Sequence, residues 1–261
     1  MSARGTLATQ VWALARRSSL RTLRQPAQVV PALIFPLFLL AVNSSGLSDA
    51  TNLPGFPTAS YLTFALAVPF MQGALFSTMN SGTNLATDIE TGFFNRLALT
   101  PLRGVALLGG MLAGAVALGL IQAIAYLLVG LAAGADFAAG VGGVAVIIAL
   151  SLTMALGFGA LGAFVALRTG SGEVVQSMFP IFFVFLFLSS MSLPRDLIQT
   201  DWFREIATYN PVSYLIEGIR SLLITGWDAE ALALAFGVAV GVVVVGLAAA
   251  SVALRTRMAR T

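Results

Sequence analysis

At 261 residues the chain is long enough for one helical bundle, and it has no polar segment that could fold as a second core. It is 58% hydrophobic and only 10% charged, with a mean hydropathy of +0.92, which sets it among polytopic membrane proteins rather than soluble domains. Cysteine, histidine and lysine are all absent. Thiol nucleophiles, disulfides, thiolate or imidazole metal sites, Ser-His-Asp hydrolysis and a lysine-containing phosphate loop therefore cannot be built from this chain. The high pI comes from a small excess of arginine and reads as membrane topology rather than nucleic-acid binding.

Residues 1–26 carry Arg4, Arg16, Arg17, Arg21 and Arg24 among apolar residues. Leu7, Val11 and Leu14 share a helical face, so the segment reads as an interfacial helix on the inner leaflet, or equally as a basic flank that orients the first span. A cleaved signal peptide is not expected, because the basic region is long and no small-residue cleavage site follows the apolar core. Charge-free runs at 27–48 and 58–86 each supply the roughly 20 apolar residues that a membrane-crossing helix needs.

Residues 87–104 form the longest polar break in the first two thirds of the chain. Asp88 and Glu90 come first, Gly92 can end the preceding helix in a left-handed cap, Phe93 to Thr100 read as a short helix, and Pro101 stops it. Phe93, Phe94, Leu97 and Leu99 give this segment too much apolar surface for a solvated loop and too little length for a span. It is expected to fill a groove in a partner. Phe93, Phe94 and Leu97 would be the anchors, and Asp88, Glu90 and Arg96 would set orientation at the rim. The alternative is that these side chains lie back against the flanking spans as ordinary packing.

Spans three and four, 105–134 and 139–167, form a hairpin divided by Gly134-Ala135-Asp136, and span five is expected over 174–193. Phe179, Phe182, Phe183, Phe185 and Phe187 make span five aromatic all round, suited to lipid or subunit contact with one face toward an apolar conduit. Gly110 with Gly114, and Gly237 with Gly241, have a spacing that permits close helix packing. The segment 194–227 reads as two short helices, Asp196 to Thr208 and a second one capped by Asn210 with Pro211 at its first position and Gly226 as its stop. The second helix is too short to cross, so a hairpin dipping into the outer leaflet is expected, with Glu217 and Arg220 paired at i and i+3. That pair reads either as an outer gate or as an interfacial ion pair. Span six covers 231–254, before Arg255, Arg257 and Arg260.

With the N-terminus inside, Arg96, Arg103, Arg168 and the arginines of both termini fall on the inner side, and most carboxylates fall on the outer side. Both termini and the 87–104 stretch are then cytoplasmic. No ionisable residue occupies the middle of a span, so the chain has nothing with which to couple ion flow, and energy for uphill transport would have to come from outside it. The spans offer only mild polar groups such as Gln72, Asn80, Asn84, Gln122 and Gln176, and Gln72, Asn80 and Gln176 are the conduit candidates beside Phe179 and Phe183.

Glu90, Gly92, Phe94, Arg96, Leu97, Thr100 and Pro101, together with Asn210, Pro211, Tyr214, Glu217 and Arg220, resemble the pattern of the permease subunit of type-2 ABC exporters. That group includes the daunorubicin-resistance permeases and the exporters of O-antigen and teichoic acid. The resemblance implies that 87–104 is a cytoplasmic coupling helix and that two permeases work with two ATP-binding subunits in export. ATP and Mg would then sit on the partner and no cofactor on this chain. The expectation is an all-α polytopic membrane protein in a bacterial plasma membrane, with six transmembrane helices, an N-terminal interfacial helix and an outer re-entrant hairpin before the last span. Its substrate would be an amphiphile such as a drug, lipid or lipid-linked molecule. The alternatives are a six-span membrane enzyme and a non-transporting channel or regulator.

Overall fold

The computed structural model describes residues 6–98 and 104–259, and the described residues are mainly helical, with no strand. An N-terminal helix α1 (Leu7–Leu23) leads into α2 (Pro26–Gly46), followed by α3 (Tyr61–Ala65), α4 (Ala67–Glu90) and the short α5 (Phe93–Ala98). Helices α6 (Gly104–Ala132) and α7 (Gly140–Thr169) form a hairpin. Then come α8 (Gly172–Ser177), α9 (Phe179–Phe187), α10 (Asp201–Tyr209), α11 (Pro211–Ile224) and α12 (Ala229–Met258).

Five pieces are long and apolar enough to cross a membrane: α2, α3 with α4, α6, α7 and α12. Proline explains the breaks. Pro69 has no N–H to give to Ala65, so α3 and α4 part at Leu66 while remaining one span. Pro180 likewise cannot donate to Gln176, and α8 and α9 part at Met178.

Three boundaries differ from expectation. Helix α4 runs on to Glu90, so Asp88 and Glu90 belong to its last turn and not to a loop beginning at residue 87. The fifth span, expected over 174–193, consists of helices of 6 and 9 residues and ends at Phe187. With Met178 these reach roughly 24 Å, short of a hydrocarbon core of roughly 30 Å. Residues 188–193 carry no charge that would mark the end of a span, but they turn inside the bundle. The first hairpin helix starts at Asp201; Asp196 sits in a single 3-10 turn, Arg195–Leu197.

Helix α4 lies at the centre, and α7 crosses it where Gly82 and Gly162 let the backbones meet; a Cβ on Gly162 would stand 2.1 Å from the Thr78 carbonyl oxygen. Helix α12 packs on the far side of α7 at Gly157 and Gly246. Gly110 and Gly114 of α6 seat α1, for a Cβ on Gly110 would come within 2.3 Å of Leu14 Cβ. The N-terminal helix is thus packed against the bundle on one side. Gly237 and Gly241, with the same spacing, face open space.

Helix α2 is fixed by its own proline. Pro36 leaves the Ala32 carbonyl without its helical donor, and Gln122 Nε2 and the Tyr126 hydroxyl of α6 donate to it at 3.1 and 2.6 Å. The end of α12 returns to α7 through Arg257, which donates to the Leu167 carbonyl at 2.9 Å. The described ends of the chain, α5 and the start of α8 therefore share one end of the bundle, here the terminal face. At the opposite end, the hairpin face, Ala138 and Ala139 donate to the Leu223 and Leu222 carbonyls at the end of α11.

Candidate functional site

At the terminal face, Gly92 takes φ 70° and its N–H donates to Ile89, turning the chain from α4 into α5. Asp88, only 7% exposed, accepts from both terminal nitrogens of Arg17 at 3.2 Å and from Arg21 at 2.6 Å. The spacing of four residues puts these two arginines on one face of α1. Asp88 is therefore not a rim residue turned toward a partner, as expected, but the internal counter-ion that ties α1 to the end of α4.

Phe94 is fully buried, packed in the cluster that holds Leu85, Ile89, Leu107 and Leu254, with Leu97 against its edge. An aromatic residue already enclosed by its own chain cannot anchor a partner, so ordinary packing describes Phe94 and the docking expectation does not. Phe93 is half-buried, with the Arg17 guanidinium 3.8 Å and that of Arg96 5.8 Å from its ring centre. Exposed Arg96 and Glu90 flank it, and Glu90 also accepts from the Gly172 N–H at 3.4 Å at the start of α8. Thr100 and Pro101 lie outside the described residues.

At the hairpin face the short fifth span leaves turning backbone that no helix ladder can satisfy. One face of α11 supplies the partners. Asn210 Nδ2 donates to the Phe185 and Leu188 carbonyls at 2.6 and 3.0 Å, and Ser213 Oγ accepts the Ser190 N–H at 3.1 Å. Glu217 accepts from the Ser190 hydroxyl at 2.7 Å, and Arg220 donates to the Ser190 and Met191 carbonyls at 3.0 and 3.1 Å. Arg220 also donates through Nε to the Phe64 carbonyl at 3.2 Å and lies 3.5 Å over the Phe64 ring, joining the fifth span to α3. Buried non-helical backbone at membrane depth is tolerated only when protein groups satisfy it in this way.

The expected ion pair of Glu217 with Arg220 is not formed; Glu217 pairs with Arg195. An extended turn brings Arg195 down beside α11, where its guanidinium lies 4.7 Å over the Tyr214 ring. Asn210 is also the cap of α11, its Oδ1 accepting the Val212 N–H at 2.9 Å, with Pro211 at the position that needs no donor. Tyr214, Glu217 and Arg220 line a cavity of about 480 Å³ with Arg195 and Phe64, whereas Asn210 and Pro211 do not.

Asn80, Gln176 and Phe179 line one groove of about 420 Å³ between α2, α4 and the α8–α9 pair, together with Gln28 and Phe76. Asn80 donates to Gln28 and accepts from Thr22 and Asn84, which makes a polar patch against the Phe76 and Phe179 rings. Phe183 lies tilted against Phe179, ring centres 4.5 Å apart. Gln72 is not with them; it is enclosed near Pro36, Asn43 and Met191.

Sequence reasoning missed Arg17 and Arg21 as partners of Asp88, and Arg195 as the partner of Glu217. The first pairing bridges 71 and 67 residues of chain, a separation no local pattern reports. The position of Arg17 and Arg21 beside Leu14 on the apolar side of α1 was the available signal.

A bundle of apolar spans, one of them cut short and packed against a short helix, with aromatic and basic groups gathered at the other end, has the make-up of a membrane transport subunit. Residues 9–224 match the family described as ABC-2 type transporter, and the chain belongs to that family. It is 28% identical to the daunorubicin resistance ABC transporter permease protein DrrB1 of Streptomyces coeruleorubidus, over 76% of this chain and 69% of that protein. It is also 29% identical to ycf38 of Porphyra purpurea, named as a candidate transport permease, over 84% of this chain and 76% of the other.

Proposed function

We propose that this chain is the transmembrane half of an ATP-driven exporter of amphiphilic molecules, energised at its terminal face by a separate ATP-binding subunit. The observation that carries this reading is the distribution of charge. Every ionisable residue of α2, α4, α6, α7 and α12 lies near a helix end, and the buried Arg220 is engaged by backbone carbonyls, so the spans hold no carboxylate that could carry a coupled ion. ATP and Mg belong on the partner subunit, which needs the phosphate loop this chain lacks.

In this reading the terminal face is cytoplasmic, and Phe93 with Arg96 and Glu90 meets the partner. A second permease covers the exposed aromatic side of α9, where Ile181, Val184, Phe185 and Phe187 remain open. The groove of Asn80, Gln28, Gln176, Phe76 and Phe179 offers amide hydrogen bonds on one side and aromatic rings on the other, which suits an amphiphile.

The test is uptake of a fluorescent amphiphile into inside-out vesicles holding this chain with its ATP-binding subunit; daunorubicin, for which one relative is named, is the first compound to try. Uptake that requires ATP and falls in Asn80→Leu with Gln176→Leu supports the reading. Flux without nucleotide points to a channel. ATPase binding without flux of any amphiphile points to a regulator.

A further inference from the structure

Helix α1 has two faces, and the bundle uses only one. Leu14, Ser18 and Thr22 pack on α6, the Ser18 hydroxyl donating to the Met111 carbonyl at 2.9 Å, while Arg17 and Arg21 are held by Asp88. The opposite face exposes Trp12 (71%), Leu20 and Leu23, interleaved with exposed Arg16 and Arg24. Neither of these arginines has an acceptor among the described residues. Helix α2 begins two residues after Arg24, and its exposed Val30, Ile34 and Phe38 continue the apolar surface along the first span.

We infer that this outward face of α1 is a binding surface for anionic phospholipid headgroups. Arg16 and Arg24 take phosphate oxygens, and Trp12, Leu20 and Leu23 enter the boundary with the acyl chains. Three observations select lipid as the occupant. The span that follows must enter hydrocarbon at about Pro26, so Arg24 stands at the level of the phosphates. Aliphatic and indole groups alternate with the guanidinium groups, which suits a lipid boundary. The two cations have no counter-charge among the described residues, whereas their neighbours Arg17 and Arg21 share the Asp88 carboxylate. Zwitterionic lipids bring their own cation to such a surface, so the preference is for lipids of net negative charge. This inference rests on membrane insertion alone and is independent of what the chain transports.

The experiment uses the purified full chain carrying Trp202→Phe and Trp227→Phe, both exposed positions, so that Trp12 is the one tryptophan left as a reporter. Detergent solutions are titrated with phosphatidylglycerol, phosphatidylcholine or inorganic phosphate. Saturable change in Trp12 emission at lower phosphatidylglycerol than phosphatidylcholine is expected. A surface arginine contributes about fivefold to anionic-lipid affinity, so Arg16→Gln with Arg24→Gln should weaken phosphatidylglycerol binding roughly 30-fold and leave phosphatidylcholine binding unchanged. The double lysine variant should keep most of the preference, because attraction to phosphate follows charge. Equal binding of the two lipids, or an undiminished preference in the glutamine variant, overturns the assignment. An emission change reproduced by inorganic phosphate also overturns it, in favour of a free-anion site.

Discussion

The two ends of the bundle both fasten arginine to the protein, and they do so in opposite ways. At the terminal face Arg17 and Arg21 meet a carboxylate, Asp88, and their side chains remain 40% and 23% exposed. At the hairpin face Arg220 is 7% exposed and has no carboxylate within ion-pair distance among the described residues; three main-chain carbonyls and the Phe64 ring receive its charge. The first arrangement can open because water already reaches the arginines and can replace the lost contacts. The second is almost wholly buried, and opening it would strand both a cation and the unfinished backbone of the fifth span, whose carbonyls it satisfies. The terminal cluster is thus suited to rearrangement and the hairpin cluster to holding a short span in place.

The strongest way to break this contrast is Arg220→Met. It leaves the Phe64, Ser190 and Met191 carbonyls without donors, each at about 1–3 kcal/mol, and should remove most folded permease from the membrane. Recovery of monodisperse protein at the parental level, with parental thermal unfolding, would show that the carbonyls find other partners. Phe94→Ala comes next, because emptying a fully buried aromatic site costs about 3–5 kcal/mol. Permease abundance should fall, while ATP-binding subunit captured per permease molecule stays constant. Loss of capture at full abundance would contradict the packed position of Phe94.

Much of the fold was legible because a membrane simplifies the code. Apolar runs bounded by charge located the five long spans, and the left-handed turn at Gly92 and the Asn210-Pro211 helix start were readable from local chemistry. The end of the fifth span was not, because Leu188 to Leu193 carry no charge to mark a boundary and only the facing residues of α11 reveal that they turn. The pairing of Glu217 was misread for a related reason. Spacing along α11 made Arg220 a neighbour, but the backbone carbonyls of another span took Arg220 first. Phe94 was misjudged because two adjacent phenylalanines in a six-residue helix do not say which points home, whereas burial in the cluster that holds Leu107 and Leu254 decides it.

A smaller effect is expected at the terminal face itself. Asp88→Asn leaves Arg17 and Arg21 without a counter-charge, but both can turn to water, so the cost should be about 1–2 kcal/mol rather than that of a fully buried pair. Because the chain has no cysteine, Leu14→Cys provides a single thiol where α1 meets Gly110. Asp88→Asn should raise its labelling rate as α1 lifts from α6, and adding Arg17→Gln with Arg21→Gln should lower that rate again. An unchanged rate would mean that the small-residue contact on α6 holds α1 without the ion pair.

The least effect on the permease itself, and the most informative for coupling, is expected from Phe93→Ala. Its ring is half-buried and contributes one close cation–π contact with Arg17, about 0.5–1 kcal/mol at an exposed site, so abundance and thermal unfolding should hardly change. What the substitution removes is apolar surface flanked by Arg96 and Glu90 at the end where a partner is proposed to dock. An aromatic anchor enclosed by a partner is commonly worth about 2 kcal/mol in binding, a factor of roughly 30. Capture of the ATP-binding subunit should therefore fall by about that factor at constant permease level, the reverse of the Phe94→Ala pattern. If the two variants behave alike, losing abundance and keeping capture, then Phe93 is packing too and the partner must grip elsewhere on the terminal face. If Phe93→Ala keeps capture but hydrolysis no longer drives uptake, Phe93 transmits motion without supplying affinity, because only contacts that differ between two conformations can shift their balance.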